Sequence, residues 1–266
     1  MPFVKLEGAG NDFVLIDATA DSDGDTPNLA KIDWPSLAPW LCDRHFGIGA
    51  DGILLLLPSA RADIQMIVIN SDGSVAEMCG NGIRCVARYW HDTGRMRASM
   101  LRVETAAGIL TPTFGADRQI RVPMGVPRLN RHEIPMIGPP GQPVVSEFFP
   151  ELGLAISAVS MGNPHAVAFV ADLDQLSFET LGPQLSCSER FPQGANASFA
   201  QRLGPHTIRL KVWERGVGPT LACGTAACAA VVAGTLENRL DHKANVLLPG
   251  GALLIEWVAD GMVYMT

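Results

Sequence analysis

The stretches "EMCGNGIRCVA" (Glu77 to Ala87) and "LACGTAACAA" (Leu221 to Ala230) each place a Cys-Gly step just ahead of a helical pattern. Cys79 and Cys223 stand 144 positions apart. After Cys79, the residues Ile83, Val86, Ala87 and Trp90 recur at helical spacing. After Cys223, "TAACAAVVAGTLENRL" is alanine-rich and helical by propensity. The doubled signal decides the fold, because it marks a chain made of two related halves.

The likeness extends outward from the two cysteines. Nine residues before them stand Asn70 and Glu214. Ahead of those lie matching strand-like alternations, Ile64, Met66, Val68 and Ile208, Leu210, Val212. Two further pairs follow in chain order. "AGNDFVLID" (Ala9 to Asp17) pairs with "MGNPHAVAFV" (Met161 to Val170). "RHFGIGADG" (Arg44 to Gly52) pairs with "RFPQGANAS" (Arg190 to Ser198), matching Gly49-Ala50-Asp51 to Gly194-Ala195-Asn196. Three matches in one order, at offsets of 152, 145 and 144, predict an internal duplication. The Pro/Gly-rich passage Val122 to Pro143 reads as the crossover. Each half is strand-rich with one well-marked helix. Hairpins are expected at Gly115-Ala116-Asp117 and Ala259-Asp260-Gly261. A further helix is expected near Ile32 to Asp43, from Leu37, Trp40 and Leu41.

Bulk composition narrows the function. The 266 residues, 47% hydrophobic, suffice for a large core. A net charge of -7 with no Lys/Arg-rich run argues against nucleic acid as a partner. No apolar run is long enough to span a bilayer, and the N-terminus lacks the apolar core of a signal peptide. The expectation is a soluble, cytoplasmic protein without a membrane partner. The six cysteines form no C-x-x-C and have no His at zinc-finger spacing, so neither a metal nor a disulfide framework is expected. Cys42, Cys85, Cys187 and Cys228 are expected to be inert core thiols.

Cys79 and Cys223 are different, because both fall at a helix N-terminus. Unpaired N–H groups and the positive end of the helix dipole gather there. A thiol in that position is more readily ionised, and the same N–H groups suit a carboxylate. Gly80, Gly82 and Gly224 let a ligand approach the backbone. Two such half-sites facing one another would place a sulfur on each face of an amino acid's α-carbon. One thiolate would remove the Cα proton while the other thiol delivers a proton to the opposite face. The developing charge would run into a carboxylate held by helix amides. This chemistry needs no cofactor.

At these residues the chain resembles the diaminopimelate epimerase family. The motifs are "GAGNDFVLID" (Gly8 to Asp17), "DRHFGIGADG" (Asp43 to Gly52), "NSDGSVAEMCGNGIRC" (Asn70 to Cys85), "GNPHAV" (Gly162 to Val167) and "WERGVGPTLACGTAACA" (Trp213 to Ala229). The related proline racemases usually carry His after Cys-Gly, where this chain has Asn81. The resemblance implies an α/β fold of the α+β type with two pseudo-symmetric halves. Each would be a mostly antiparallel sheet wrapped around a central helix, with the active-site cleft between them. Residues 1–122 would form the N-terminal half and 123–256 the C-terminal half, the last strand (257–266) returning to the first. It implies interconversion of LL- and meso-diaminopimelate without a cofactor or metal, by a homodimer acting on a small amino-acid substrate. Cys79 and Cys223 match the acid/base pair, with Cys223 taking the proton in the LL-to-meso direction. Gly80-Asn81 and Gly224-Thr225 match the carboxylate-holding backbone. Asn11, Asn70, Asn163, Asn196, Glu214 and Arg215 match substrate-binding positions, and His165 and Glu214 match residues that tune the thiols.

Three positions depart from the family pattern: Gly52, where many members have Gln; Pro219, often Glu or apolar; and Ala226, often Gly. The Gln role is therefore not carried over to Gly52. The competing expectations are a two-cysteine racemase acting on proline, hydroxyproline, glutamate or histidine, and a silent binding protein on the same fold. Oxidation joining Cys79 to Cys223 is a further expectation.

Overall fold

The computed structural model describes residues 2–19, 29–115 and 117–266. The chain divides into two compact units, Met1–Val122 and Pro123–Thr266.

The first unit contains β1 (Val4–Gly8), β2 (Asn11–Asp17), α1 (Trp34–Leu41), β3 (Gly52–Leu57), β4 (Ile64–Asn70), β5 (Val75–Ala76), α2 (Gly80–Asp92), β6 (Val103–Thr105) and β7 (Gly108–Leu110). Its sheet runs β1-β2-β3-β4-β6-β7, with β5 on β4. The β2–β3 and β4–β6 pairs are parallel and the others antiparallel. The run "GILLLL" of β3 does not alternate, because both faces of the sheet are covered. On one face Val14, Ile16, Ile53, Leu55 and Ile69 pack with Trp34, Ala38 and Leu41 of α1. On the other, Ile83, Val86 and Ala87 of α2 are buried, and Leu54 meets Gly82. The helix expected at Ile32 to Asp43 is present as α1, capped by Asp33. Its buried stripe differs from the expected one, since Leu37 and Trp40 face solvent.

The hairpin of β8 (Thr113–Phe114) and β9 (Ile120–Gly125) follows, and the boundary between the units falls within β9. Ala116, in its expected turn, lies outside the described residues.

The second unit contains β10 (Val144–Phe149), β11 (Leu154–Ser160), β12 (Pro164–Val170), α3 (Phe178–Ser186), β13 (Asn196–Gly204), β14 (Thr207–Glu214), β15 (Gly218–Thr220), α4 (Gly224–Leu236), β16 (Lys243–Leu248), β17 (Gly251–Trp257) and β18 (Val263–Met265). Strands run β10-β11-β12-β13-β14-β16-β17-β18, with β15 on β14. They wrap α4, which touches β11 to β14 and β16 to β18. Residues 226–234 of α4 are all buried, which explains why its sequence is apolar on every side. α3 covers the opposite sheet face over Ala158, Ala166, Ala168, Ala197 and Phe199. The sequence did not announce α3, because Gly182 and Pro183 interrupt it. Gly182 is there for packing: a Cβ would come within 2.7 Å of the Trp213 ring. The turn at Asp260-Gly261 returns β18 antiparallel onto β17, and the strand order continues from β18 to β9 and β8.

The duplication is topological. β1 to β7 and β11 to β17 pair in the same order and the same senses. Register makes it residue-specific. Phe13 lies opposite Gly52, and His165 lies opposite Asn196. Phe13 and His165 are therefore counterparts, as are Gly52 and Asn196. The expected match of Asp51 to Asn196 is one residue out. Gly49 and Gly194 correspond, both left-handed at φ +78° and +68°. Asp51 is an additional residue between that turn and the strand.

Candidate functional site

Cys79 sits in extended conformation immediately before α2, and its sulfur accepts the Gly82 N–H at 3.4 Å. The thiol thus occupies the place where Ser or Asp usually caps a helix. Gly80, Asn81 and Gly82 form the buried first turn. Asn81 Oδ1 accepts from Arg84 at 3.0 Å, and Arg84 also donates to the Gly80 carbonyl at 3.2 Å. Asn70, at the end of β4, donates through Nδ2 to Ser74 Oγ at 2.9 Å. Asn11 opens β2 with its Oδ1 buried and unpartnered.

Asn11 is anchored by its neighbour. Asp12 N–H donates to Asp51 Oδ2 at 3.0 Å, and Asp51 N–H donates to the Asp12 carbonyl at 2.9 Å. Arg44 reaches both Asp12 oxygens, at 2.7 and 3.2 Å, and Asp51 at 2.8 Å. Lys5 adds a bond to Asp12 at 2.7 Å and one to the Gly49 carbonyl. Burial would raise the Asp12 pKa, but Arg44 and Lys5 hold this carboxyl far below the usual range. Sequence analysis missed this clamp; charges inside two Gly-rich turns were the available signal. Gly52 contributes no side chain, and a Cβ there would lie 2.7 Å from the Ile69 carbonyl.

In the second unit Cys223 has the same extended backbone before α4, but its helix gives the sulfur no capping bond. Its Sγ lies 3.4 Å from Thr225 Oγ1. Thr220 donates to Glu214 Oε1 at 2.6 Å. Burial raises the Glu214 pKa, against the pull of the Thr220 and Cys223 side chains. Thr220 was not anticipated; nothing distinguished it from any strand threonine. His165 is fully buried, with Nε2 2.9 Å from Asn163 Oδ1 and Nδ1 unpartnered. Burial, aided by the charge of Arg215, pushes its pKa down to about 3, so the ring is neutral. Asn163 Nδ2 donates to Thr225 Oγ1 at 3.5 Å. Asn196 donates to the Pro164 carbonyl at 3.2 Å and accepts the Arg215 N–H at 3.0 Å. The exposed Arg215 guanidinium donates to the Gln193 carbonyl at 2.8 Å, and the Arg215 methylenes lie over Gly194.

The structure therefore gathers Asn163, His165, Thr225 and Cys223 into one bonded set, with Glu214 bonded to Thr220 and Asn196 to Arg215. It holds Asn11, Asn70, Cys79, Gly80 and Asn81 on the first unit. Pro219 is exposed on the short edge strand β15, a position that suits proline. Burial pushes the Cys85 thiol up to about 12 and also raises Cys42. Cys228 is fully buried inside α4. Cys187, expected in the core, is exposed at the end of α3. No helix among the described residues is long and apolar enough to cross a membrane.

The family model described as diaminopimelate epimerase matches residues 3–130 and 157–266. The chain is 50% identical to a diaminopimelate epimerase of Pelotomaculum thermopropionicum, over 100% of this chain and 95% of the relative. It is 45% identical to that of a Synechocystis strain, over 100% and 95%. Its fold is similar to a Bacillus anthracis protein of the PhzF phenazine-biosynthesis family, with a TM-score of 0.67 at 18% identity, covering 99% of this chain and 93% of the other. It is also similar to a hydroxyproline epimerase of Agrobacterium vitis, with a TM-score of 0.66 at 15% identity, covering 99% and 86%.

Proposed function

The chain belongs to the diaminopimelate epimerase family, and from that premise we propose that Cys79 and Cys223 are the acid–base pair converting LL-2,6-diaminopimelate to meso-diaminopimelate. The observation that carries the proposal is the pair of cysteines in equivalent extended positions at the starts of α2 and α4. In the LL-to-meso direction the Cys223 thiolate removes the Cα proton, and the Cys79 thiol gives its proton to the opposite face. The two sulfurs exchange protonation states, and the reverse reaction restores them. The N–H groups of Gly80-Asn81 and Gly224-Thr225 hold the carboxylate into which charge develops. Arg215 forks onto the distal carboxylate. Asn11, Asn70, Asn163 and Asn196 supply donors and acceptors for the zwitterionic ends, and the unpartnered Asn11 Oδ1 suits an ammonium group. Neutral His165 and the buried Glu214 set the environment of Cys223. The reaction uses no metal and no organic cofactor. The proposal extends to a cytoplasmic homodimer supplying a lysine and peptidoglycan precursor.

The test is incubation of LL-diaminopimelate with reduced protein in heavy water. Formation of the meso isomer with deuterium at the inverted carbon is expected. No meso product and no exchange would overturn the assignment. Turnover of proline, hydroxyproline, glutamate or histidine in its place would move the chain to a related two-cysteine racemase.

A further inference from the structure

The polar set around Cys223 has a direction that follows from the buried ring at its far end. His165 is fully buried and neutral, and its Nδ1 has no partner. A bare buried acceptor is tolerated better than a bare N–H donor, so the ring hydrogen sits on Nε2, 2.9 Å from Asn163 Oδ1. That orientation of the amide turns Asn163 Nδ2–H to Thr225 Oγ1 at 3.5 Å. With its oxygen accepting there, the Thr225 hydroxyl hydrogen is left for the Cys223 Sγ at 3.4 Å.

We propose that His165, Asn163 and Thr225 form a directed relay, Nε2–H to Oδ1 and Nδ2–H to Oγ1, that makes the Thr225 hydroxyl a donor to the Cys223 sulfur. The proposal deepens the assignment of Cys223 as a proton acceptor and rests on it. When Cys223 ionises, the hydroxyl is already aimed at the negative sulfur, and no group has to reorient. His165 and Asn163 act through Thr225 and are positioning residues. The other unit provides a natural control. There Phe13 replaces His165, Asn81 occupies the place of Thr225, and the backbone N–H of Gly82 donates to the Cys79 sulfur. Thr225→Val therefore removes the hydroxyl beside Cys223 and leaves that backbone donor in place.

The experiment is alkylation of the full-length protein by iodoacetamide across pH 5 to 9, read for each cysteine by peptide mass spectrometry. Thr225→Val is expected to slow Cys223 alkylation about ten-fold at neutral pH, moving its midpoint up by about one unit. The Cys79 profile stays in place, and Thr225→Ser restores Cys223. An unchanged Cys223 profile in Thr225→Val, or an equal shift at both cysteines, would overturn the relay. Independently, ¹⁵N shifts of His165 are expected to report the Nε2–H tautomer, and the Nδ1–H tautomer would contradict the derivation. Both readouts follow the thiol and the ring rather than turnover. Absence of meso product with the cysteine contrast intact would thus count against the substrate and spare the relay.

Discussion

The two half-sites share a backbone and differ in almost every supporting side chain. Both cysteines are extended and both precede a thirteen-residue helix starting with Gly. Yet Phe13 answers His165, Asn70 answers Glu214, Gly82 answers Ala226, and Asp12 answers Pro164. The start of β2 is held by a charged clamp through Asp12, Arg44 and Asp51; the start of β12 carries a proline instead. Duplication preserved the element that aims a sulfur and a row of amides. Divergence then placed Thr225 and the His165 relay beside the second sulfur, where the first has Asn81 and Phe13 at the equivalent positions. Unequal surroundings suit a pair whose members begin the reaction in opposite protonation states.

The shared element carries the largest expected effect. Replacing either Cys79 or Cys223 by serine should lower kcat by ~10³-fold with little change in thermal midpoint. Retention of more than a tenth of the activity in either variant would break the equivalence. The clamp comes next. Asp12→Asn should cost roughly 2 kcal/mol in denaturant unfolding by weakening charge-assisted bonds. Because the folded pKa of Asp12 is depressed, that stabilisation is present above the free carboxyl's range and fades as pH falls below it. An equal loss of stability at low and neutral pH would refute the clamp.

Gly82→Ala copies the second half into the first. The new Cβ would approach Leu54 Cδ2 to 2.8 Å in a fully buried layer, so a loss of about 1–2 kcal/mol is expected. The reverse exchange, Ala226→Gly, should cost about 1 kcal/mol from helix propensity alone. Calorimetry showing the opposite ranking would mean that the two first turns are packed alike. His165 makes a prediction confined to low pH, with no contribution from titration at neutral pH. Its folded pKa of about 3 lies below that of a free histidine, so the unfolded chain binds the proton first. Stability from this residue is complete above about pH 6.5 and declines as pH falls toward 3. His165→Phe, which installs the other half's residue, should flatten that decline in a series of melts; an unaltered slope would contradict the buried neutral ring.

Much of this was legible in the sequence, for physical reasons. A Cys-Gly step ahead of a helical pattern is a local signal, and two copies in one order made the duplication readable. The α4 helix was visible because its run is alanine-rich, and the strands wrapped around it explain why it is apolar on every side. α3 was not, because Gly182 is set by the Trp213 ring and Pro183 breaks the pattern. The register between β3 and β13 was misread by one residue, since the glycines of both turns align at offset 145 and only strand pairing exposes Asp51 as additional. Thr220 and the Asp12 clamp went unseen because their partners come from distant strands and turns. The exposed Trp40 shows the converse: its spacing fits a buried stripe, and solvent nonetheless takes it.

The central claim is that two sulfurs, not one, handle the proton. The most direct measurement follows deuterium in both pools during the first few per cent of LL-diaminopimelate conversion in heavy water. The account predicts that the new meso product is fully labelled at the inverted carbon while the remaining LL substrate stays nearly unlabelled, because the Cys223 side returns its own proton and the Cys79 side delivers solvent's. Equal early labelling of substrate and product would show a single base serving both faces and would contradict it.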